Sequence, residues 1–126
     1  MTTEQIFFYI VLGLIILLYL RKQWNARGIT QYSPADAKER MKEGSILLDV
    51  RTPRERSRQS IPSSIHIPLH EISSRVKELE RYRGKEIICY CATGSRSISA
   101  AVTLKKSGFS VGNLKGGMSS WNFSLR

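Results

Sequence analysis

Residues 86–108 read EIICYCATGSRSISAAVTLKKSG, and the fold of the domain can be worked out from this stretch. Its first part, Glu86–Tyr90, is short and almost continuously apolar, which predicts a β-strand covered on both faces. A tight loop from Cys91 to Arg96 follows, and Ser97–Ser107 then predicts a helix. A strand that passes through a tight loop into a helix is typical of α/β domains, whose sites form at the carboxyl ends of parallel strands.

The sequence on either side continues this alternation of strands and helices. Ser33 and Pro34 have the residue types of a helix start, and the helix that they begin should end at Gly44. The remaining predicted elements are the strands Ile46–Val50 and Phe109–Leu114, a turn followed by a short strand within Ser63–Ile67, the helix Glu71–Tyr82, and a short terminal helix after Gly116-Gly117 that holds Trp121.

Each predicted helix carries apolar residues at helical spacing, and these should face the sheet. They are Ala37 and Met41 in the first helix, Ile72, Val76 and Leu79 in the second, and Ile98, Ala101 and Val102 in the third. Together the elements predict a three-layer α/β domain with a mainly parallel central sheet.

An uncharged apolar run, Ile6–Leu20, precedes this domain. A helix needs about 20 residues to cross a bilayer, so residues 6–24 predict one short transmembrane helix. A buried helix of a soluble protein would carry a polar stripe, which this run lacks.

The charges that flank the run indicate whether it is cleaved and in which direction it crosses the membrane. A cleaved signal peptide would have positive charge before the apolar run, but here Glu4 precedes it and Arg21, Lys22 and Arg27 follow it. An uncleaved anchor is therefore the favoured interpretation. The positive-inside rule places the N-terminus outside and the domain in the cytoplasm, where reducing conditions keep an exposed thiol available.

The length of 126 residues leaves room for one domain after the anchor. We expect a tail at 1–5, the transmembrane helix at 6–24, a basic linker at 25–28 and the α/β domain at 29–126. The net charge of +10 favours anionic partners, but no nucleic-acid-binding motif is present and we expect no nucleic acid.

The two cysteines, Cys89 and Cys91, and the two histidines, His66 and His70, match no metal-ligand spacing. We expect neither a metal nor another cofactor. Cys89 lies within a predicted strand and fits a small buried residue. A resolving role, in which it forms a disulfide with Cys91, is the alternative.

The loop from Cys91 to Arg96 predicts an anion cradle. Successive backbone amides can point into such a loop, and the helix that follows adds partial positive charge. Gly94 suits a loop of this kind because it can adopt positive φ. A cysteine at its mouth should have a stabilised thiolate, which makes Cys91 a candidate nucleophile.

Four segments in order resemble the rhodanese family of sulfurtransferases. The loop resembles its Cys-x-x-Gly-x-Arg active-site motif, and Ser97 follows as it often does in that family. The other three are LLDVRTPRE at Leu47–Glu55, IHIPL at Ile65–Leu69, and Gly116-Gly117-Met118 with Trp121. The resemblance extends from Ile29 to about Trp121.

The resemblance implies a persulfide mechanism. Cys91 would take a sulfane sulfur from a small anionic donor and pass it to a thiol or cyanide-like acceptor or to an acceptor protein. No cofactor would be needed, because Cys91 itself would carry the sulfur as a covalent persulfide. The amides of the loop would hold the anionic sulfur, with Asp49, Arg51 and Glu55 in support, and the acids are expected to pair with arginines such as Arg96. The loop residues are Ala92, Thr93, Gly94, Ser95 and Arg96.

Loop length bears on two competing chemistries. Phosphatases and arsenate reductases with a related cysteine loop keep five residues between Cys and Arg, whereas four lie between Cys91 and Arg96. The smaller ring suits a single sulfur better than a phosphate. A Cys–His hydrolase would need His66 or His70 as its base, and both fit structural or solvent-facing positions better.

Three further features leave alternatives open. The sequence departs from the family pattern at Arg56 and at Gln59-Ser60-Ile61, both within the 54–64 turn. The cluster Arg51, Arg54, Arg56 and Arg58 could line a path for anionic donors, rest on anionic lipid or be solvated surface. The whole domain could instead be a catalytically weak module that binds a partner at the membrane.

Overall fold

The computed structural model describes residues 1–26 and 28–126; Arg27, part of the expected basic linker, lies outside them. The strands are β1 (Thr30–Tyr32), β2 (Ile46–Asp49), β3 (Ile65–His66), β4 (Ile87–Tyr90) and β5 (Val111–Leu114). The α-helices are α1 (Thr3–Ala26), α2 (Pro34–Lys42), α3 (Pro53–Arg58), α4 (Ile72–Arg75), α5 (Ser95–Lys106) and α6 (Gly117–Ser120). Two 3₁₀ segments, Leu69–Glu71 and Val76–Tyr82, flank α4.

The strands form one parallel sheet in the order β1-β5-β4-β2-β3. Two apolar clusters, one larger and one smaller, pack around it, and consecutive β4 residues alternate between them. Ile87, Cys89 and Cys91 belong to the larger cluster, while Ile88 and Tyr90 belong to the smaller one. A sheet covered on both faces explains why its strands read as continuous apolar runs. The predicted three-layer α/β fold is therefore confirmed.

The register brings several loops to one edge of the sheet. Asp49 pairs with Tyr90 at the ends of β2 and β4, and β5 lies on the other side of β4. Because parallel strands end at the same edge, the loops that follow β2, β4 and β5 meet there. The loop that begins at Cys91 lies at the centre of this edge.

The segment predicted as one helix, 71–82, is largely 3₁₀. Ile72 and Leu79 are buried as expected, and Val76 and Tyr82 pack partly against the core. Val76, Leu79 and Tyr82 recur at intervals of three, which aligns them on one side of a helix with three residues per turn. The spacing of the buried residues thus accounts for the tighter winding.

Two elements were absent from the sequence prediction. Strand β1 is short and mostly exposed, so it carries little apolar signal. Helix α3 lies inside the segment expected to be a turn, and it begins with a capping box in which Thr52 and Glu55 satisfy each other's backbone amides. The TPRE sequence at 52–55 could have identified this start.

The predicted inward face of α5 was partly wrong. Ala101 is buried, but the centre of the buried face is Ser97, Ala100, Ala101 and Leu104. Ile98 and Val102 are half-buried and both line a crevice beside α1, although Val102 also packs partly against the core as predicted. A sequence periodicity fixes the face only to within about one residue, because one step along a helix turns it by about 100°.

Helix α1 is the one described helix that is long and apolar enough to cross a bilayer. Its candidate span, Thr3–Trp24, has a mean hydropathy of 2.0 and no buried residue in its apolar window. A signal sequence near an N-terminus can meet the same criteria of length and composition. The helix is compatible with a single membrane span.

Candidate active site

The loop between β4 and α5 forms a cup of backbone amides around the buried sulfur of Cys91. Cys91 is buried, whereas Thr93 and Ser95 on the rim are exposed. The Gly94 amide donates a hydrogen bond to the Cys91 Sγ at 3.1 Å, and the Ser97 hydroxyl lies 3.4 Å from the same sulfur. The N-terminus of the 12-residue helix α5 also points at this loop, so positive potential converges on the thiol.

These donors determine the pKa of Cys91. Burial by itself raises the pKa, but hydrogen bonds from the Ser97 side chain and from the amides of Ser97, Thr93 and Gly94 outweigh it. The net pKa of Cys91 is therefore lower than that of an ordinary thiol. A lowered pKa increases the thiolate fraction near neutral pH, and the thiolate is the nucleophilic form.

Cys89 has the opposite character although it lies two residues away. It is fully buried among the apolar side chains of the larger cluster, and burial raises its pKa to about 12. Both cysteines are free thiols. Cys89 is therefore a small buried core residue that stays protonated near neutral pH.

A buried polar chain, which the sequence analysis did not identify, continues from Cys91 into the fold. The Ser97 hydroxyl donates a short hydrogen bond to the side-chain oxygen (Oδ1) of Asn113 on β5. The amide nitrogen of Asn113 donates to Gln31 on β1 at 2.8 Å and to the Gly94 carbonyl at 3.3 Å. Asn113 is 1% exposed, so it links the loop, the helix start and an edge strand within the protein interior. A polar residue in the otherwise apolar β5 was the available signal.

Two glycines allow the loop and the C-terminal segment to approach each other. Gly94 adopts a φ of 97°, and a Cβ there would lie 3.1 Å from the Gly116 nitrogen. A Cβ on Gly117 would overlap the Cys91 carbonyl oxygen. Because Gly117 has no side chain, the two segments come close enough for the Met118 amide to donate a hydrogen bond to the Cys91 carbonyl oxygen at 2.9 Å. The Gly-Gly-Met segment thus fixes the peptide planes of the cysteine loop.

Arg96 spans the gap from the cysteine loop to α3, and its pKa is raised by Glu55 and, to a smaller extent, by the nearby Cys91. Its two terminal nitrogens donate to the two Glu55 carboxylate oxygens at 2.8 and 2.9 Å. The hydrogen bonds from Arg96 lower the pKa of Glu55 to about 2. The expected pairing of Glu55 with Arg96 is present, and it joins the helix after β2 to the helix after β4.

Asp49 is the centre of a second, fully buried network. Arg51 donates two side-chain hydrogen bonds to its carboxylate, at 3.0 and 2.8 Å, and Tyr90 donates a third at 3.1 Å. Burial alone raises the pKa of Asp49, but the hydrogen bonds from Arg51 outweigh it and the net pKa is lowered. Asp49 and Arg51 thus hold the end of β2 and lie below the loop without contacting Cys91.

The 54–64 turn, where the sequence departs from the family pattern, is held by polar contacts. Arg56 donates to the Ser64 hydroxyl at 2.6 Å and to its carbonyl at 2.8 Å, and it also approaches Asp49 at 3.4 Å. The guanidinium groups of Arg51 and Arg56 are therefore both engaged in hydrogen bonds within the fold. Of the four clustered arginines, Arg54 and Arg58 are the exposed ones.

The two histidines occupy different environments. The His66 Nε2 is 2.7 Å from the Arg51 carbonyl oxygen, so a hydrogen bond to the backbone fixes the position of the ring. His70 is exposed and lines a cavity of about 370 Å³ beside the loop. His70 is solvent-facing, as predicted, and it shares this cavity with Arg96. The remaining lining residues are Val50, Thr52, Pro68 and Leu69.

The fold and this loop define a class: parallel α/β proteins with a nucleophilic cysteine in an amide-lined loop at the start of a helix. Within that class, the rhodanese-like domain family matches residues 33–124. This match covers most of the chain, and the chain belongs to the rhodanese-like domain family.

Comparisons with individual proteins agree with this assignment. A sulfurtransferase of Allochromatium vinosum is 36% identical over 80 residues, which cover 63% of this chain and 73% of that protein. A rhodanese-related protein from Thermoplasma volcanium has a TM-score of 0.71 and 34% identity, and the match covers 77% of this chain and 97% of that one.

One structural relative is much longer. The reduced CoADR-RHD protein of Bacillus anthracis matches with a TM-score of 0.69 and 31% identity over 74% of this chain. The match spans only 16% of that relative. The rhodanese-like fold therefore occurs there as part of a larger protein, and relatives named as sulfurtransferases support a general role in sulfur transfer.

Proposed function

We propose that this protein is a membrane-anchored sulfurtransferase that carries a sulfane sulfur as a persulfide on Cys91. The observation that carries the proposal is the buried Cys91 sulfur within an amide-lined cup, with a lowered pKa and the N-terminus of α5 behind it. The complete loop favours catalysis over a purely partner-binding module. The sulfurtransferase relatives support the same chemistry.

The first half-reaction loads the cysteine. The Cys91 thiolate attacks the outer sulfur of thiosulfate, a new S–S bond forms, and the S–S bond of the donor breaks. Sulfite leaves with the electron pair of that bond, and the negative charge of the thiolate passes to the terminal sulfur of the persulfide. The amides from Ala92 to Arg96 are suited to hold that anionic sulfur, because amide donors and a helix N-terminus stabilise negative charge.

The second half-reaction unloads the cysteine. A thiolate or cyanide acceptor attacks the terminal sulfur, the Cys91 persulfide bond breaks, and the thiolate of Cys91 is regenerated with the electron pair. An organic persulfide donor would load the enzyme by the reverse of the thiolate step. No external oxidant or reductant is needed in either half-reaction.

The proposal is tested by the intact mass of the full chain. Incubation with thiosulfate or an organic persulfide should add one sulfur atom, about 32 Da, at Cys91. Cys91→Ala should abolish the increase, and Cys89→Ala should retain it because the Cys89 thiol is buried and stays protonated. A wild-type mass unchanged by several donors would overturn the enzyme proposal and favour the binding module.

The location is part of the proposal. Helix α1 has the length and composition of a single span, and its basic flank, Arg21 and Lys22, follows it in the chain. We propose that the N-terminus lies outside and the rhodanese-like domain lies in the cytoplasm. Reduced thiols would be available there both to act as acceptors and to keep Cys91 unoxidised.

A further inference from the structure

Two adjoining crevices separate the end of α1 from the outer side of α5. The first has a volume of about 370 Å³, with Leu18, Arg21 and Lys22 on one wall and Ile98, Ser99 and Val102 on the other. The second has a volume of about 330 Å³ and shares Val102 with the first. Its other described lining residues are Trp24, Gly28, Lys105 and Lys106.

The four basic residues of these crevices come from distant parts of the sequence. Arg21 and Lys22 end the apolar helix, whereas Lys105 and Lys106 end α5. Lys105 Nζ donates to the Gly28 carbonyl at 2.9 Å, which holds the end of α5 against the chain that leaves the anchor. The fold therefore places the positive charges of Lys105 and Lys106 beside the basic residues that already follow the apolar run.

The charge of this surface is not balanced by acids among the described residues that line it. None of the described residues that line either crevice is Asp or Glu. Elsewhere most acids are paired: Asp49 with Arg51, Glu55 with Arg96, and Glu80 with Arg83. No salt bridge between described residues uses Arg21, Lys22, Lys105 or Lys106.

We infer that the two crevices together bind the headgroup of an anionic phospholipid. The inference rests on the membrane anchor of the proposed function. Basic residues beside a span attract anionic lipid, and tryptophan favours the same interfacial level, where Trp24 stands. The apolar side chains Leu18, Ile98 and Val102 suit the upper part of an acyl chain, while the four cations suit the phosphate.

Helix α5 runs antiparallel to α1 beside this surface. Ile98 and Ser99, near the start of α5, lie across from Leu18, whereas Lys105 and Lys106, at its end, lie beside Trp24. The two lysines therefore lie at the level of the end of the anchor, where a headgroup would be.

The test uses the full chain in micelles of a neutral detergent. Phosphatidylglycerol or phosphatidylcholine with the same acyl chains is added at equal concentration, and native mass spectrometry counts the bound lipid. The wild type should retain about tenfold more phosphatidylglycerol than phosphatidylcholine, and the preference should weaken at high salt.

The informative variant is Lys105→Gln with Lys106→Gln, because it leaves the flank that orients the anchor intact. It should lose most of the preference for phosphatidylglycerol, about tenfold, without a change in phosphatidylcholine binding. The matched control, Lys77→Gln with Lys115→Gln, removes the same charge from exposed positions outside both crevices and should behave like the wild type.

Equal binding of the two lipids by the wild type would overturn the inference, as would equal losses in the two double variants. Sulfur loading of Cys91 is read from the mass of the same wild-type sample. A failure to load sulfur would thus count against the enzyme proposal while the lipid result stands. If the full chain stays soluble without detergent, α1 is not a membrane anchor, and the lipid-binding inference fails as well.

Discussion

Ser97 has a single hydroxyl proton and two neighbours that can accept it. One is the Cys91 sulfur at 3.4 Å, and the other is the Asn113 side-chain oxygen. When Cys91 is a thiolate, its full charge makes it the stronger acceptor. The position of this proton therefore depends on the ionisation of the cysteine, and Asn113 is the buried group that orients the hydroxyl.

Replacing Ser97 tests this arrangement. Ser97→Ala removes a donor that lowers the pKa of Cys91, so that pKa should rise. The midpoint of the pH profile for alkylation by iodoacetamide should move to higher pH, and the rate at pH 7 should fall several-fold. Ser99→Ala, on the same helix but without a contact to the sulfur, is the control. An unchanged profile in Ser97→Ala would mean that the backbone amides alone stabilise the thiolate.

At the scale of secondary structure, the Glu55–Arg96 pair joins α3 to α5. The carboxylate has two roles, because it also completes the capping box with Thr52. Glutamine can keep the cap but not the charge. Glu55→Gln therefore isolates the ion pair.

We expect Glu55→Gln to lower the free energy of unfolding at pH 7 by about 1 kcal/mol or less, since the pair is partly exposed. The pKa of Glu55 is about 2 in the folded chain and 4.5 ordinarily. The stabilisation is thus present above about pH 4.5 and is lost as the pH falls towards 2. Urea unfolding of both proteins across this range should show the difference vanish at the acid end.

Glu78→Gln serves as the control for that series. Glu78 pairs with Arg75 at a fully exposed site, so its loss should change stability less than the loss of Glu55. A difference between wild type and Glu55→Gln that persists at pH 2 would show that the effect comes from the cap or from packing, and not from the carboxylate charge.

At the scale of the whole molecule, the proposed membrane span makes the orientation of α1 the feature that decides which compartment the candidate active site would face. A reporter fused after Arg126 should remain in the cytoplasm, because positive charge follows the apolar run and none precedes it except the N-terminus. Protease added to intact cells should leave that reporter uncut. Its cleavage from outside would contradict the proposed topology.

Reversing the charge bias tests the cause of the orientation. The variant combines Thr2→Lys and Thr3→Lys with Arg21→Gln and Lys22→Gln, which moves the positive charge to the other end of the apolar run. The reporter should then become accessible from outside in a large fraction of the molecules. If the reporter of this variant stays protected, folding of the domain, and not the charge bias, decides the orientation.

The sequence by itself determined the order of most elements, the fold class and the cysteine loop, because these depend on local patterns. Continuous apolar runs predict strands buried in a parallel sheet, and Gly94 within a tight loop after such a strand predicts an anion cradle. The pairing of Glu55 with Arg96 came from the family resemblance. The 3₁₀ winding at 76–82 and helix α3 were missed although local signals for both were present.

Only the tertiary structure decided which distant residues support the loop. Asn113, His70 and the Gly-Gly-Met segment reach the cysteine edge through strand order and register, which no local pattern specifies. The same holds for Lys105 and Lys106, which the helix direction of α5 brings beside the anchor. Sequence neighbours set the local conformation and supply the donors to the Cys91 sulfur, whereas the contacts that hold its loop against the rest of the sheet depend on how complete elements pack.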